Sequence, residues 1–227
     1  IKPVYLCRDP FRGPDDYLVL CDTWLPDGTP HKTNHFEKLK KVVDHWADHE
    51  AWFGFEQEYI IFHLGSEHVP YGWKNRHEPG MGPQGPYYCG TGGEYSFGRP
   101  LAEKHREMCL KAGLKYCGLN AEVMPSQWEF QIGPCSGWDF ACQLWLARYI
   151  LLRLSEDPSI LGSPVSISWA PKPKRGDWNG NGGHTNFSTK EMRILGGEGR
   201  KAIDRAIERL DKQHHHHMRI SGAGHRE

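Results

Sequence analysis

The succession of hydrophobic periodicities along this chain predicts an α+β domain built on an antiparallel sheet. Strand-like runs fall at residues 17–24, 51–64, 118–132 and 165–170. Segments with apolar residues at helical spacing fall at 35–49, 99–112, 138–154 and 201–213. The connections are rich in turn formers: Gly 26 and Pro 16 in 227 residues, above the roughly 12% average usage of the two together. Nine each of Trp, Tyr and Phe separate this composition from a disordered one.

Residues 1–36 alternate and turn; Tyr17 to Trp24 has strand composition, and Pro26-Asp27-Gly28 is a strong turn signal. From His35 to His49 the apolar residues Phe36, Leu39, Val42, Val43 and Trp46 recur at helical spacing. Ala51 to Leu64 reads as a strand. The stretch 65–98 is Gly- and Pro-rich and far longer than the usual ~4–6-residue connection; Trp73, Tyr87 and Tyr88 in it point to an ordered loop. Arg99 to Ala112 is a helix with Pro100 at a tolerated early position. Gly118 to Ile132 reads as two strands broken at Met124-Pro125-Ser126-Gln127. Trp138 to Leu154 is an amphipathic helix whose apolar positions are Phe140, Leu144, Trp145, Ala147, Ile150 and Leu151. Val165 to Ala170 is a strand, followed by a Pro/Lys segment and a Gly/Asn-rich loop at 176–183, and Lys201 to Gln213 is helical. There is no internal repeat.

Composition excludes several classes. Lys plus Arg (28) balances Asp plus Glu (28), which argues against a nucleic-acid binder held by a general basic field. No window approaches ~18 uninterrupted apolar residues, so no membrane-spanning helix is expected; the mean hydropathy is −0.67. The seven cysteines, at 7, 21, 89, 109, 117, 135 and 142, are odd in number and include no Cys-x-x-Cys. A zinc ribbon or a full disulfide framework is therefore not expected, and free thiols in a reducing compartment are. The first residues, Ile1 onward, carry no secretory pattern.

Carboxylates stand in unusual company. Glu56 and Glu58 lie at i and i+2 of a strand, hence on one face, among Trp52, Phe53, Phe55 and Tyr59. An isolated Glu-x-Glu is most often a solvated strand face, but the theme repeats: Glu122 follows Asn120-Ala121, and Glu129 and Gln131 share a face opposite Trp128, Phe130 and Ile132. Like charges buried together need a cation between them. Oxygen-only ligands suit Mg²⁺ or Mn²⁺ rather than zinc, and bundled carboxylates with such metals suit phosphoryl transfer. In the Gly-rich loop, His184 offers a neutral nitrogen to a metal, although a lone His is more often structural; Asn186 and Ser188 alternate with it.

The segments RDPFRG (8–13), WFGFEQEY (52–59), GPQGPYYCG (82–90), NAEVMPSQWEFQIGPC (120–135) and GDWNGNGGHTNFST (176–189), taken together and in this order, closely resemble eukaryotic-type glutamine synthetase, from residue 1 to about residue 217. The resemblance implies an enzyme that joins ammonia to L-glutamate at the expense of ATP, through γ-glutamyl phosphate. It implies a curved antiparallel sheet forming part of a barrel, with helices packed outside. It implies that Glu58, Glu122 and Glu129 hold the metal near the substrate glutamate, and that Glu56 and His184 hold the metal that orients the ATP phosphates, two or three Mg²⁺ or Mn²⁺ per site in all. Trp52, Glu129, Phe130, Gln131, Ile132, Gly133, Pro134, Asn186, Phe187 and Ser188 match nucleotide-contacting positions. Asn179 and Gly180 match the loop that receives glutamate. The implied assembly is a homo-oligomer of stacked rings, ten subunits in the eukaryotic type, without nucleic acid or membrane. The implied compartment is the cytoplasm, with plastid or mitochondrion as alternatives.

By the same resemblance, residues 1–227 are expected to form one partial catalytic domain, with 1–36 the end of an N-terminal region and linker. The β-grasp domain, whose aspartate helps deprotonate ammonium, would lie upstream. The glutamate flap, the arginines that bind phosphate and substrate, and the last ligand of the ATP-side metal would lie downstream. Locally, Ala51 stands where Pro is usual, Gly183 where Cys is usual, and Ser166 to Ala170 departs from the usual strand ending; none of these removes a ligand. The run His214 to His217 is expected to be a surface segment. Two further readings stay open: a non-catalytic fragment or paralogue serving as an assembly or regulatory subunit, and a phosphoryl-transfer fold with another acceptor such as a guanidine or amine.

Overall fold

A computed structural model describes residues 1–66, 69–73 and 85–220. The first of the 82–90 motif's residues and much of the expected 65–98 loop lie outside these. A hairpin of β1 (Lys2–Arg8) and β2 (Tyr17–Asp22) opens the chain. It is followed by α1 (His35–His45), β3 (Trp52–His63), α2 (Arg99–Lys111), β4 (Tyr116–Ala121), β5 (Gln127–Ser136) and α3 (Gly137–Ser155). The short α4 (Pro158–Leu161), β6 (Val165–Ser168), β7 (Gly183–Ser188), α5 (Gly197–Lys212) and α6 (His214–Ile220) complete it. The fold is α+β, and its five-stranded sheet is antiparallel and open, not closed into a barrel.

The 12-residue β3 is the axis of that sheet. One edge pairs along its length with β5, which in turn pairs with β4. The other edge is divided: β7 pairs with Trp52–Gln57 and β6 with Ile60–His63. Alternation then sorts the side chains. Tyr59 and Ile61 of β3 and Trp128, Phe130 and Ile132 of β5 join Leu101, Met108, Leu146, Ile150 and Leu151 of α2 and α3 in the main core. On the opposite face of β3, Ile60 and Phe62 pack with Trp73 and Met124, whereas Glu56 and Glu58 precede them on that same face. One side of the sheet is thus closed by helices, and the other is half apolar and half acidic.

Several elements depart from expectation. The helix expected over 35–49 stops at His45; Ala47–His49 is a 3₁₀ turn, and Glu50 adopts a left-handed conformation (φ 44°) that turns the chain into β3. None of the apolar residues of α1 is buried; Leu39, Val42, Val43 and Trp46 line an open cavity of about 670 Å³ with Trp52, Phe53 and Phe187. Trp145 of α3, expected on the apolar face, is exposed. The Gly/Asn-rich loop ends at Gly183, where β7 begins, a strand fixed by its pairing with β3 rather than by propensity. Trp73 and Tyr87 are buried, while Tyr88 is exposed. The histidine run forms the exposed helix α6. All seven cysteines are free. Among the described residues no helix is long and apolar enough to cross a membrane.

Candidate functional site

Antiparallel register assembles the acidic face. Glu58 sits directly opposite Glu129 across β3–β5, and Asn120 of β4 lies opposite Glu129 on its other side. Glu56 lies between Gln131 on β5 and His184 on β7. Glu122 comes one residue after β4, where its N–H donates to the Gln127 carbonyl (2.8 Å) and so brings it back over the sheet. One carboxylate oxygen each from Glu58, Glu122 and Glu129 then lies within 4.8 Å of the other two. The three residues are only 7%, 8% and 5% exposed.

Neutral donors surround the three carboxylates. Glu58 Oε2 accepts from the Gly182 N–H and from Gln127 Nε2, both at 2.9 Å. Glu122 accepts from Asn120 Nδ2 (3.0 Å) and the Val123 N–H (3.1 Å). Glu129 Oε1 accepts from Gln131 Nε2 at 2.5 Å. Among the described residues no Lys or Arg forms an ion pair with any of the three. Burial, reinforced by the charge of Glu58, pushes the Glu122 carboxyl above the usual range. Burial likewise raises Glu129, with Glu56 and Glu58 adding to it. Three buried like charges without a cationic side chain are costly by themselves. Carboxylate-only donors at this spacing fit a shared hard divalent cation of the Mg²⁺ or Mn²⁺ kind.

Glu56 and His184 form a separate pair beside the triad. His184 Nδ1 is 3.2 Å from Glu56 Oε2, and Asn186 Nδ2 donates to Glu56 Oε1 at 2.8 Å. The Asn186 bond, with His184 second, holds the Glu56 carboxyl below the usual carboxylate range. Gly182 separates the two groups: a Cβ there would lie 2.9 Å from Glu58 Oε1 and 3.0 Å from His184 Nε2. Glu58 and His184 therefore both reach the space over Gly182.

Next to Glu56 a cavity of about 350 Å³ opens between β3, β5 and β7. It is lined by Trp52, Gln131, Ile132, Gly133, Pro134, Asn186, Phe187 and Ser188, together with Gly54, Glu56 and Cys117. Glu129 belongs to the triad instead, and the Phe130 side chain is wholly buried on the helix-covered face. The Trp52 ring, 44% exposed, is backed by the Arg193 guanidinium 3.9 Å from its centroid. Arg193 is anchored by the carbonyls of Ser188 (3.1 Å) and Glu50 (2.7 Å).

Asn179 and Gly180 reach the triad through a residue that sequence reasoning passed over. Gln127 Oε1 accepts from Asn179 Nδ2 (3.1 Å), and Gln127 Nε2 donates to the Gly180 carbonyl (2.8 Å) as well as to Glu58. The signal for Gln127 was available: the alternation that puts Glu129 and Gln131 on one face puts Gln127 there too. Gly180 is sterically required, since a Cβ would approach the Pro171 carbonyl oxygen to 2.5 Å.

Fold and site together define the class: an α+β domain with a cluster of three buried carboxylates on an open antiparallel sheet and a ligand-sized cavity beside it. No protein-family model matches the chain. Whole-chain comparison is specific: the chain is similar to glutamine synthetases, 50% identical over 222 residues to that of Agaricus bisporus. Identity to the glutamine synthetase of Suillus bovinus is also 50%, and to that of Saccharomyces cerevisiae 49% over 223 residues. These alignments cover 98% of this chain and 57–60% of the relatives, so the chain corresponds to part of those proteins.

Proposed function

We propose that the chain is the cation- and nucleotide-binding part of an ATP-dependent glutamate–ammonia ligase. The observation that carries this reading is the convergence of Glu58, Glu122 and Glu129 beside the Trp52 cavity, in a chain half-identical to glutamine synthetases. In the proposed reaction the side-chain carboxylate of L-glutamate attacks the γ-phosphorus of ATP and ADP leaves. Ammonia then attacks the acyl carbon of γ-glutamyl phosphate, phosphate leaves, and loss of a proton gives L-glutamine. Bound Mg²⁺ or Mn²⁺ would neutralise charge on the transferring group.

The chain's own residues divide the work. Glu58, Glu122 and Glu129 hold one cation; Glu56 and His184 offer ligands on the cavity side, toward the phosphates. Trp52, stiffened by Arg193, presents an aromatic face to the base, with Gln131 to Pro134 and Asn186 to Ser188 around it. Asn179 and Gly180 present the loop that meets glutamate. The homo-oligomeric rings and the cytoplasmic location implied by the resemblance belong to the same proposal. The test is phosphate release by the purified chain with ATP, Mg²⁺, L-glutamate and ammonium, omitting each in turn. Release that requires all of them supports the ligase. Mn²⁺ binding without release would instead favour a non-catalytic subunit that has kept its metal centre.

A further inference from the structure

We propose that Gln127 is the positioning residue that ties the cation centre to the loop at Asn179–Asn181; the inference rests on the reading that Glu58, Glu122 and Glu129 hold a divalent cation. Gln127 is 1% exposed, and both ends of its carboxamide are engaged. The nitrogen donates toward Glu58 Oε2 (2.9 Å), the Gly180 carbonyl (2.8 Å) and Asn181 Oδ1 (3.1 Å). The oxygen accepts from the Met124 N–H (3.1 Å) and Asn179 Nδ2 (3.1 Å). The carboxamide supplies both functions with two donor hydrogens: a carboxylate has no donor, an ammonium no acceptor, an apolar side chain neither.

The donor end is oversubscribed. Two hydrogens face three acceptors, one of them the charged Glu58 carboxylate, and bonds to charged groups are the stronger ones. A cation that engages Glu58 weakens the pull of that carboxylate on the amide. The shared hydrogen then goes to Gly180 and Asn181. Asn181 is already held at its far side, donating from Nδ2 to the carbonyls of Ser168 (3.2 Å) and Ala170 (2.9 Å) and from its N–H to Pro171 (2.8 Å). Cation loading is therefore transmitted through Gln127 as tightening of the loop.

The experiment is hydrogen exchange by mass spectrometry on the full chain with and without Mn²⁺, alongside Mn²⁺ affinity by electron paramagnetic resonance. In the wild type, saturating Mn²⁺ should slow exchange across residues 179–181 by about tenfold, the worth of one hydrogen bond to a charged group. Gln127→Met should abolish that slowing and weaken Mn²⁺ by a similar factor. Gln127→Glu, which keeps the acceptor and loses the donor, should also abolish the slowing. Wild-type protein that binds Mn²⁺ without slowing, or Gln127→Met that retains slowing and affinity, overturns the role of Gln127 alone. The wild-type arm decides the matter even where a variant fails to fold. Wild-type protein that binds no Mn²⁺ overturns the cation reading itself, and the inference with it.

Discussion

Glu58 and Glu129 face each other across a β-ladder rung, a position where like charges ordinarily destabilise a sheet. Both are buried, and the donors around them are neutral amides and backbone N–H groups. On the proposed reading, the site trades stability of the cation-free protein for affinity toward a cation.

Glu129→Gln separates the two sides of that trade. The substitution removes a buried charge yet keeps the shape, so the metal-free protein should gain about 2–4 °C in Tm, the response of a chain this size to roughly 1 kcal/mol. Mn²⁺ affinity should fall by more than about a hundredfold. Thermal melts in chelator and Mn²⁺ titration check both signs; a lower Tm in chelator would mean that Glu129 is held by something other than a missing cation.

Cation binding should weaken in mild acid. The Glu122 and Glu129 carboxyls are raised, so protons compete with the cation at pH values above the ordinary carboxylate range. Mn²⁺ affinity should rise with pH through that range and then level off. A flat profile from pH 5 to 8 would contradict the raised carboxyls.

His105 predicts a separate acid sensitivity. Fully buried, with Nε2 2.9 Å from the Ala147 carbonyl, it is pushed down to about 4 by desolvation. Between pH 6.5 and 4 the unfolded chain binds the proton and the folded one does not, so stability is complete above the upper value and is lost as pH falls through the window. The full loss is about 3 kcal/mol. Urea titrations at pH 7, 5 and 4 should show a shallower decline for His105→Phe than for wild type.

Gly180→Ala tests the loop. The new Cβ would meet the Pro171 carbonyl oxygen at 2.5 Å, and backbone cannot swing aside as a side chain can. A destabilisation of about 1–3 kcal/mol is expected. Gly197→Ala, where a Cβ meets nothing within 4 Å, should be neutral or slightly stabilising and serves as control.

Trp52→Ala tests the cavity. Loss of a base-stacking surface, worth about 1–3 kcal/mol, should weaken ADP or ATP binding by calorimetry about ten- to a hundredfold. Stability should change little, because the ring is half-exposed. Equal nucleotide affinity in wild type and variant would remove Trp52 from the site.

Much of this centre was legible from alternation alone: Glu56 with Glu58, and Glu129 with Gln131, fall on shared faces because a strand repeats every two residues. What alternation cannot supply is register. The meeting of Glu58 with Glu129, and of Glu56 with His184, joins residues far apart in sequence, and no local preference encodes it. β7 begins only where the expected Gly/Asn-rich loop ends, and its mostly polar residues carry little strand propensity; its conformation comes from the partner it pairs with. The α1 stripe was misleading for the converse reason: helical spacing of Leu39, Val42 and Val43 is real, yet the surface it faces is an open cavity. Gln127 escaped because a glutamine carries no chemical signature until its neighbours are known.

The divided edge of β3 has a consequence for how such a protein diversifies. β7 ends its pairing at Gln57 and β6 begins at Ile60, and between them the backbone of Glu58 is met by Gly182 at the end of the excursion that starts after Ser168. That excursion is an insert between two strands docked on one rail. Glu58 and Glu129 are carried by β3 and β5, and the excursion reaches them at its end through Asn179 to Gly182 and Gln127, so the outer residues 173–177 can vary while that contact stays in place. The carboxylate cluster and the outer turn of the excursion thereby lie on separately replaceable parts, and a change in the one need not begin with the loss of the other.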